Sequence, residues 1–93
     1  MMKTFGDKET EKLYITGNSK KYPQAIIKTA IRKLDYLNAA KDINDLEIPP
    51  GNKLELLKEK YNKMYSIRIN KQFRIIFLFK HSCAINVAII DYH

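Results

Sequence analysis

Tyr65-Ser66-Ile67-Arg68-Ile69-Asn70-Lys71-Gln72-Phe73-Arg74-Ile75-Ile76-Phe77-Leu78-Phe79-Lys80 is the stretch on which the fold turns. Tyr65, Ile67 and Ile69 alternate with Ser66, Arg68 and Asn70. Phe73, Ile75, Phe77 and Phe79 alternate with Arg74, Ile76, Leu78 and Lys80. A period of two predicts two strands, and the polar break between them predicts a hairpin. A two-residue loop at Asn70-Lys71 would oppose Arg68 to Phe73 and mix the faces. A three-residue loop, Asn70 to Gln72, opposes Ile69 to Phe73, Ile67 to Ile75 and Tyr65 to Phe77. One face then stays apolar, and a one-residue slip would destroy it. The same register sets Arg68 opposite Arg74. Like charges directly opposed are destabilising, so either an anion sits between them or they splay into solvent or pair with Glu55 or Asp91.

Downstream, Val87 and Ile89 alternate with Ala88 and Ile90. This predicts a third antiparallel strand after a short loop near His81-Ser82, and Leu54 to Leu57 is a candidate fourth. Upstream the period is helical. Ile27, Ala30, Ile31, Leu34 and Leu37 recur at spacings of three and four, one apolar stripe of a helix whose first turn holds Pro23 and which ends near Ala40. Lys28, Arg32, Lys33 and Asp35 are placed on its outer face. Asp42 to Leu46 reads as one extra turn, and Pro49-Pro50-Gly51-Asn52 as a hard break. Before it, Asp7 is a good N-cap for a helix that runs to about Thr16 and stops at Gly17-Asn18, with Leu13 and Tyr14 buried. Met2 to Phe5 reads as an edge or starting strand. The expected architecture is a single α+β domain over residues 1–93, two N-terminal helices packed on a small, mostly antiparallel sheet.

Composition narrows the function. The 93 residues carry 17 Lys and Arg against 10 Asp and Glu, a formal charge of +7. Residues 1–47 hold nine basic and seven acidic groups, and residues 48–93 hold eight and three. All eight lie between Lys53 and Lys80. Lys53, Lys60, Lys63, Arg68 and Lys71 are therefore candidates for binding a phosphate-rich partner such as RNA, against the plainer reading of a solvated surface. One cysteine, Cys83, excludes an internal disulfide and a multi-cysteine zinc site, and reads as a small buried hydrophobe. His81 and His93 have no cysteine pair beside them, so no metal site is expected, and no Gly-rich phosphate loop or other cofactor motif is present. No apolar run reaches the roughly 18–20 residues that span a bilayer, and no signal peptide is evident. A cytoplasmic protein without membrane association is expected.

The chain closes on Asp91-Tyr92-His93, three side chains capable of holding or moving a proton, directly after an apolar strand. A solvated tail is the alternative. Cleavage of RNA by its own 2′-hydroxyl needs removal of that proton, compensation of charge on the phosphorane, and protonation of the leaving 5′ oxygen. Lys58, Arg68, Arg74, Tyr92, His93 and Glu55 include groups suited to all three tasks, with no metal required. DNA lacks the 2′-hydroxyl.

Pro49-Pro50-Gly51-Asn52-Lys53-Leu54-Glu55, Tyr65-Ser66-Ile67-Arg68-Ile69-Asn70, Gln72-Phe73-Arg74-Ile75 and Ile90-Asp91-Tyr92-His93, in this order and spacing, resemble the HigB toxins of the RelE superfamily. The resemblance implies a RelE-like fold and a type II toxin–antitoxin module. It implies a ribosome-dependent endoribonuclease that cuts messenger RNA in the ribosomal A site. Its implied partner is a HigA-type helix-turn-helix antitoxin, through which it meets operator DNA. By position, Arg74 matches the arginine at the scissile phosphate, Lys58 an active-site lysine, and Asp91, Tyr92 and His93 the C-terminal catalytic triplet. Glu55 stands where some relatives have histidine, which leaves Glu55, Tyr92 and His93 all open as the general base. Two other classes compete: a ParE-like gyrase inhibitor of the same fold, which needs no polar chain end, and a plain nucleic-acid-binding module.

Overall fold

A computed structural model describes residues 1–61 and 63–92. Helix α1 spans Lys8–Thr16, and helix α2 spans Gln24–Ala39. Asp7 caps α1 by accepting from the Thr10 N–H at 2.7 Å, and Gly17 ends it in the left-handed conformation, φ 76°. Pro23 stands just outside α2, at its N-cap. A 3-10 turn, Ile43–Glu47, is closed by Asp42 and Asp45, whose carboxylates accept each other's neighbouring backbone N–H groups. A second, Pro50–Asn52, occupies the proline break.

The rest of the chain is a four-stranded meander of β1 (Glu55–Leu56), β2 (Tyr65–Arg68), β3 (Phe73–Lys80) and β4 (Cys83–Asp91), in the order β1-β2-β3-β4 and antiparallel throughout. The register of β2 on β3 pairs Tyr65 with Phe77, Ile67 with Ile75 and Arg68 with Arg74. Asn70 makes the three-residue turn possible: its side-chain oxygen accepts from the N–H groups of Gln72 and Phe73, at 2.8 and 2.7 Å. His81 and Ser82, both at positive φ, form the tight two-residue turn that suits the strands' right-handed twist.

One face of this sheet packs on the helices. Ile67, Ile75, Phe77, Val87 and Ile89 meet Leu13, Ile27, Ala30, Leu34 and Leu37 in one core. Full burial of side chains such as Phe77, Leu34 and Leu37 contributes roughly 1.5–3 kcal/mol each, so a register that kept them together prevails over one that did not. The outer face carries Ser66, Arg68, Arg74, Ile76 and Ile90, with Arg74 opposite both Arg68 and Ile90.

Four expectations need correction. Met2 to Phe5 forms no regular strand. It runs parallel beside β4 with isolated bridges Met2 to Ala84 and Phe5 to Val87. The cause is a bulge: the register shifts between Ile76 and Leu78, and Asn86 adopts φ 55°, which interrupts the ladder on that edge. Gly6 lies against the same bulge, where a Cβ would come within 2.8 Å of the Asn86 carbonyl oxygen. Tyr14 is only half-buried, because its hydroxyl reaches out to Asp35 at 2.9 Å. Lys33, placed on the outer face of α2, is 5% exposed, because its ammonium has a buried acceptor in Asn52. Cys83 is half-buried at the start of β4. Among the described residues, no helix is long and apolar enough to cross a membrane.

Candidate active site

Arg74 projects from the middle of the sheet's outer face. Strand alternation puts it there, and Ser66 lies on the same face one pair along. The Arg74 Nε–H donates to Ser66 Oγ at 2.7 Å, and Nη2 donates to the Lys53 carbonyl oxygen at 2.6 Å. Ser66 is fully buried, so its hydroxyl is a fixed acceptor. Lys53 sits in the left-handed conformation, φ 48°, which aims its peptide group toward the sheet. Two edges of the guanidinium are thereby held by protein, and among the described residues Nη1 has no hydrogen-bond partner. Partial burial lowers the Arg74 pKa, Glu55 and Tyr92 pull it back up, and Arg68 pushes it down. The guanidinium nonetheless stays protonated, as arginine does in proteins.

The end of the chain comes to the same place. The Tyr92 N–H donates to the Gln72 carbonyl oxygen at 2.7 Å, extending the β3–β4 pairing by one residue. The Tyr92 ring then lies 5.7 Å from Arg74 Cζ, within cation–π range. An open groove of about 430 Å³ is lined by Glu55, Leu56, Leu57, Lys58, Glu59 and Tyr92. Tyr92, Glu55 and Lys58 therefore line one concavity, and Arg74 stands beside it against the Tyr92 ring. Glu55 reaches it from edge strand β1, opposite Ser66, and Lys58 from the segment that follows.

Not every residue singled out in the sequence joins them. Arg68 stands opposite Arg74 in register, but its Nε donates to the Asn70 carbonyl oxygen at 3.1 Å. The two guanidiniums therefore face different protein acceptors. Asp91 pairs with Phe73 and so leaves the strand toward the helix side. Its carboxylate accepts from Gln72 Nε2 at 2.9 Å and lines a separate groove with Asp7, Lys21, Tyr22 and Tyr61. Lys53, Lys60, Lys63 and Lys71 are all exposed, and the Lys60 ammonium lies 5.5 Å from the Tyr61 ring centroid. His93 lies outside the described residues. Two contributors had no role assigned from sequence. Ser66 orients Arg74, and the strand alternation that puts it on the arginine face was the available signal. Asn52 lies beneath Lys53, fully buried, and had no signal beyond its place in the proline turn.

A family model described as the RelE-like toxin of the type II toxin–antitoxin system HigB matches residues 3–93. Toxin HigB-1 of Vibrio cholerae is 40% identical over 83 residues, 88% of this chain and 87% of that protein. A Haemophilus influenzae protein described as uncharacterized is 42% identical over 90 residues, 96% of this chain and 88% of its own length. Among solved structures, the YoeB–YefM complex from Staphylococcus aureus superposes with a TM-score of 0.62 at 20% identity, covering 100% of this chain and 98% of that one. A heterotetrameric YoeB–YefM toxin–antitoxin complex from the same organism gives 0.58 at 18% identity. At these identities the structures speak for the fold alone. The family match and the Vibrio relative establish that the chain belongs to the HigB-like, RelE-like toxins of type II toxin–antitoxin systems.

Proposed function

We propose that this HigB-like toxin is a metal-independent endoribonuclease that cuts messenger RNA in the ribosomal A site. The observation that carries the reading is the placement of Tyr92 beside a side-anchored Arg74, with Glu55 and Lys58 lining the adjoining groove. In this scheme the RNA's own 2′-hydroxyl attacks the adjacent phosphorus, and the P–O5′ bond breaks. Arg74 meets the phosphoryl oxygens, where negative charge grows as the phosphorane forms, and Lys58 adds a second positive charge from the groove wall. A general base takes the 2′ proton and a general acid returns one to the 5′ oxygen. Glu55, Tyr92 and His93 are the groups available for these transfers, with Tyr92 and His93 favoured. Asp91, turned toward Gln72, takes a supporting part by holding the chain end. Lys53, Lys60, Lys63, Lys71 and Arg68 hold the flanking phosphates without reading sequence. The ribosome supplies what an open groove on a 93-residue protein cannot, a message held in one orientation.

Primer extension on translating ribosomes tests this. Wild-type protein should produce a stop within the A-site codon, with no product on free RNA of the same sequence. Intact messages on ribosomes exposed to folded protein would remove the reading. Inhibition of supercoiling with messages untouched would favour gyrase, and salt-sensitive RNA binding without cleavage would favour a plain binding module. Cytoplasmic action follows from the ribosomal target.

The second part of the proposal is a HigA-type antitoxin that neutralises the toxin and carries it to operator DNA. Co-expression with the product of the adjacent gene should yield a stable complex. Separate elution of two folded proteins would count against it.

A further inference from the structure

Lys33 is, among the described residues, the only charged side chain in the buried class, and no step above uses it. Its ammonium donates to Asn52 Oδ1, a contact sealed from solvent. Asn52 passes the restraint on. Its Nδ2 donates to the carbonyl oxygens of Leu46 and Ile48 at 3.0 and 3.4 Å, and its own N–H closes the turn onto Pro49 at 2.9 Å. The next residue is Lys53, whose carbonyl oxygen receives Arg74 Nη2 at 2.6 Å. One continuous path of short contacts thus runs from the middle of α2, through the proline turn, to the guanidinium.

We propose that Lys33 and Asn52 are positioning residues for Arg74, holding the Pro49–Lys53 turn so that the Lys53 carbonyl fixes the orientation of the guanidinium. The inference rests on the nuclease reading for its consequence, but not for its geometry. An ammonium is a poor way to fill a core. Its desolvation is unfavourable, and a well-packed apolar side chain of similar length is often as stable or more so. Here burial, together with the nearby charges of Arg32 and Arg68, holds the Lys33 pKa below the ordinary lysine value. What the ammonium supplies and an apolar group cannot is a directed bond to Asn52. Asn52 has both donors and its acceptor committed, so loss of the lysine leaves its oxygen without a partner and lets the side chain turn. The Lys53 carbonyl moves with it, and Arg74 is left with Ser66 as its one fixed acceptor.

The test uses Lys33→Met, Asn52→Ala and the double variant of the full chain. On the free protein, NMR of the Arg74 Nη2 protons, the group bonded to the Lys53 carbonyl, should show solvent exchange rising about tenfold in each single variant. On ribosomes, kcat should fall about 10- to 100-fold with KM within about twofold, the signature of lost orientation rather than lost binding. Because the two residues act in series, the double variant should be no worse than the more damaged single one. Ile26→Val, a core change two turns earlier in α2, serves as a control for general loosening. Unchanged Arg74 exchange in Lys33→Met would overturn the proposal, as would a kcat loss no larger than the control's. Should Asn52→Ala fail to fold, Lys33→Met carries the test, since methionine fits the lysine stem. Should wild type itself not cut messages, the nuclease reading fails, and the exchange measurement still decides whether these residues position Arg74.

Discussion

Arg74→Ala is expected to reduce cleavage on the ribosome by about 10³-fold, or about 4 kcal/mol of transition-state stabilisation. The size follows from the geometry. The side chain is partly buried, its Nε and Nη2 are fixed by Ser66 and Lys53, and the remaining nitrogen is directed by that anchoring. A donor set before the reaction needs no reorganisation as charge develops. Arg74→Lys should recover little. An ammonium cannot bond Ser66, the Lys53 carbonyl and a phosphate at once in a planar fork. Both variants should stay folded, because the guanidinium is half-exposed and no apolar packing depends on it. The check is single-turnover primer extension on stalled ribosomes, with thermal unfolding of the same preparations. Cleavage within threefold of wild type by the folded alanine variant would show that the phosphate is met elsewhere.

A chain ending at Asp91 should be equally inactive, and Tyr92→Phe separates the reasons. The truncation removes the ring beside Arg74, the 2.7 Å bond to Gln72, and His93. Tyr92→Phe keeps the ring and the backbone bond and loses only the hydroxyl. If the phenol carries a proton, that single atom should lower kcat by about 10²- to 10⁴-fold with KM little changed. Near-wild-type turnover by Tyr92→Phe would transfer the role to His93 or Glu55. His93→Gln and Glu55→Gln, read as pH–rate profiles, then identify which of the two. A tag fused after His93 should act like the truncation, and a tag before Met1 should not. Equal turnover from both tagged forms would mean that the chain end is not catalytic.

The hairpin was legible in residues 65–80 because a sheet face is a parity. A two-residue loop would mix the faces and a three-residue loop keeps Ile67, Ile69, Phe73, Ile75 and Phe77 together, so the pattern chooses between those registers without knowledge of the helices. The helix limits were legible for a similar reason, since Asp7, Gly17 and the proline run act on their nearest neighbours. Lys33 was not. Three residues after Ala30 and four before Leu37, it flanks the apolar stripe, and the spacing does not say whether an acceptor waits there. The acceptor is Asn52, 19 residues on. Parity also misplaces Asp91 when it is read as one unit with Tyr92, because adjacent residues on a strand leave by opposite faces.

By itself, the sequence determined the two helices, the meander and its register, the opposition of Arg68 to Arg74, and the family. These depend on periodicity, local capping and the order of motifs, all of which are properties of neighbours along the chain. Only the tertiary structure decided that the Tyr92 ring lies near Arg74 while Asp91 faces Gln72, that the two arginines take separate acceptors, and that a buried lysine stands behind the proline turn. Each of those outcomes is a competition among acceptors brought together by folding. Its result depends on distances of a fraction of an ångström between groups that the linear order keeps far apart.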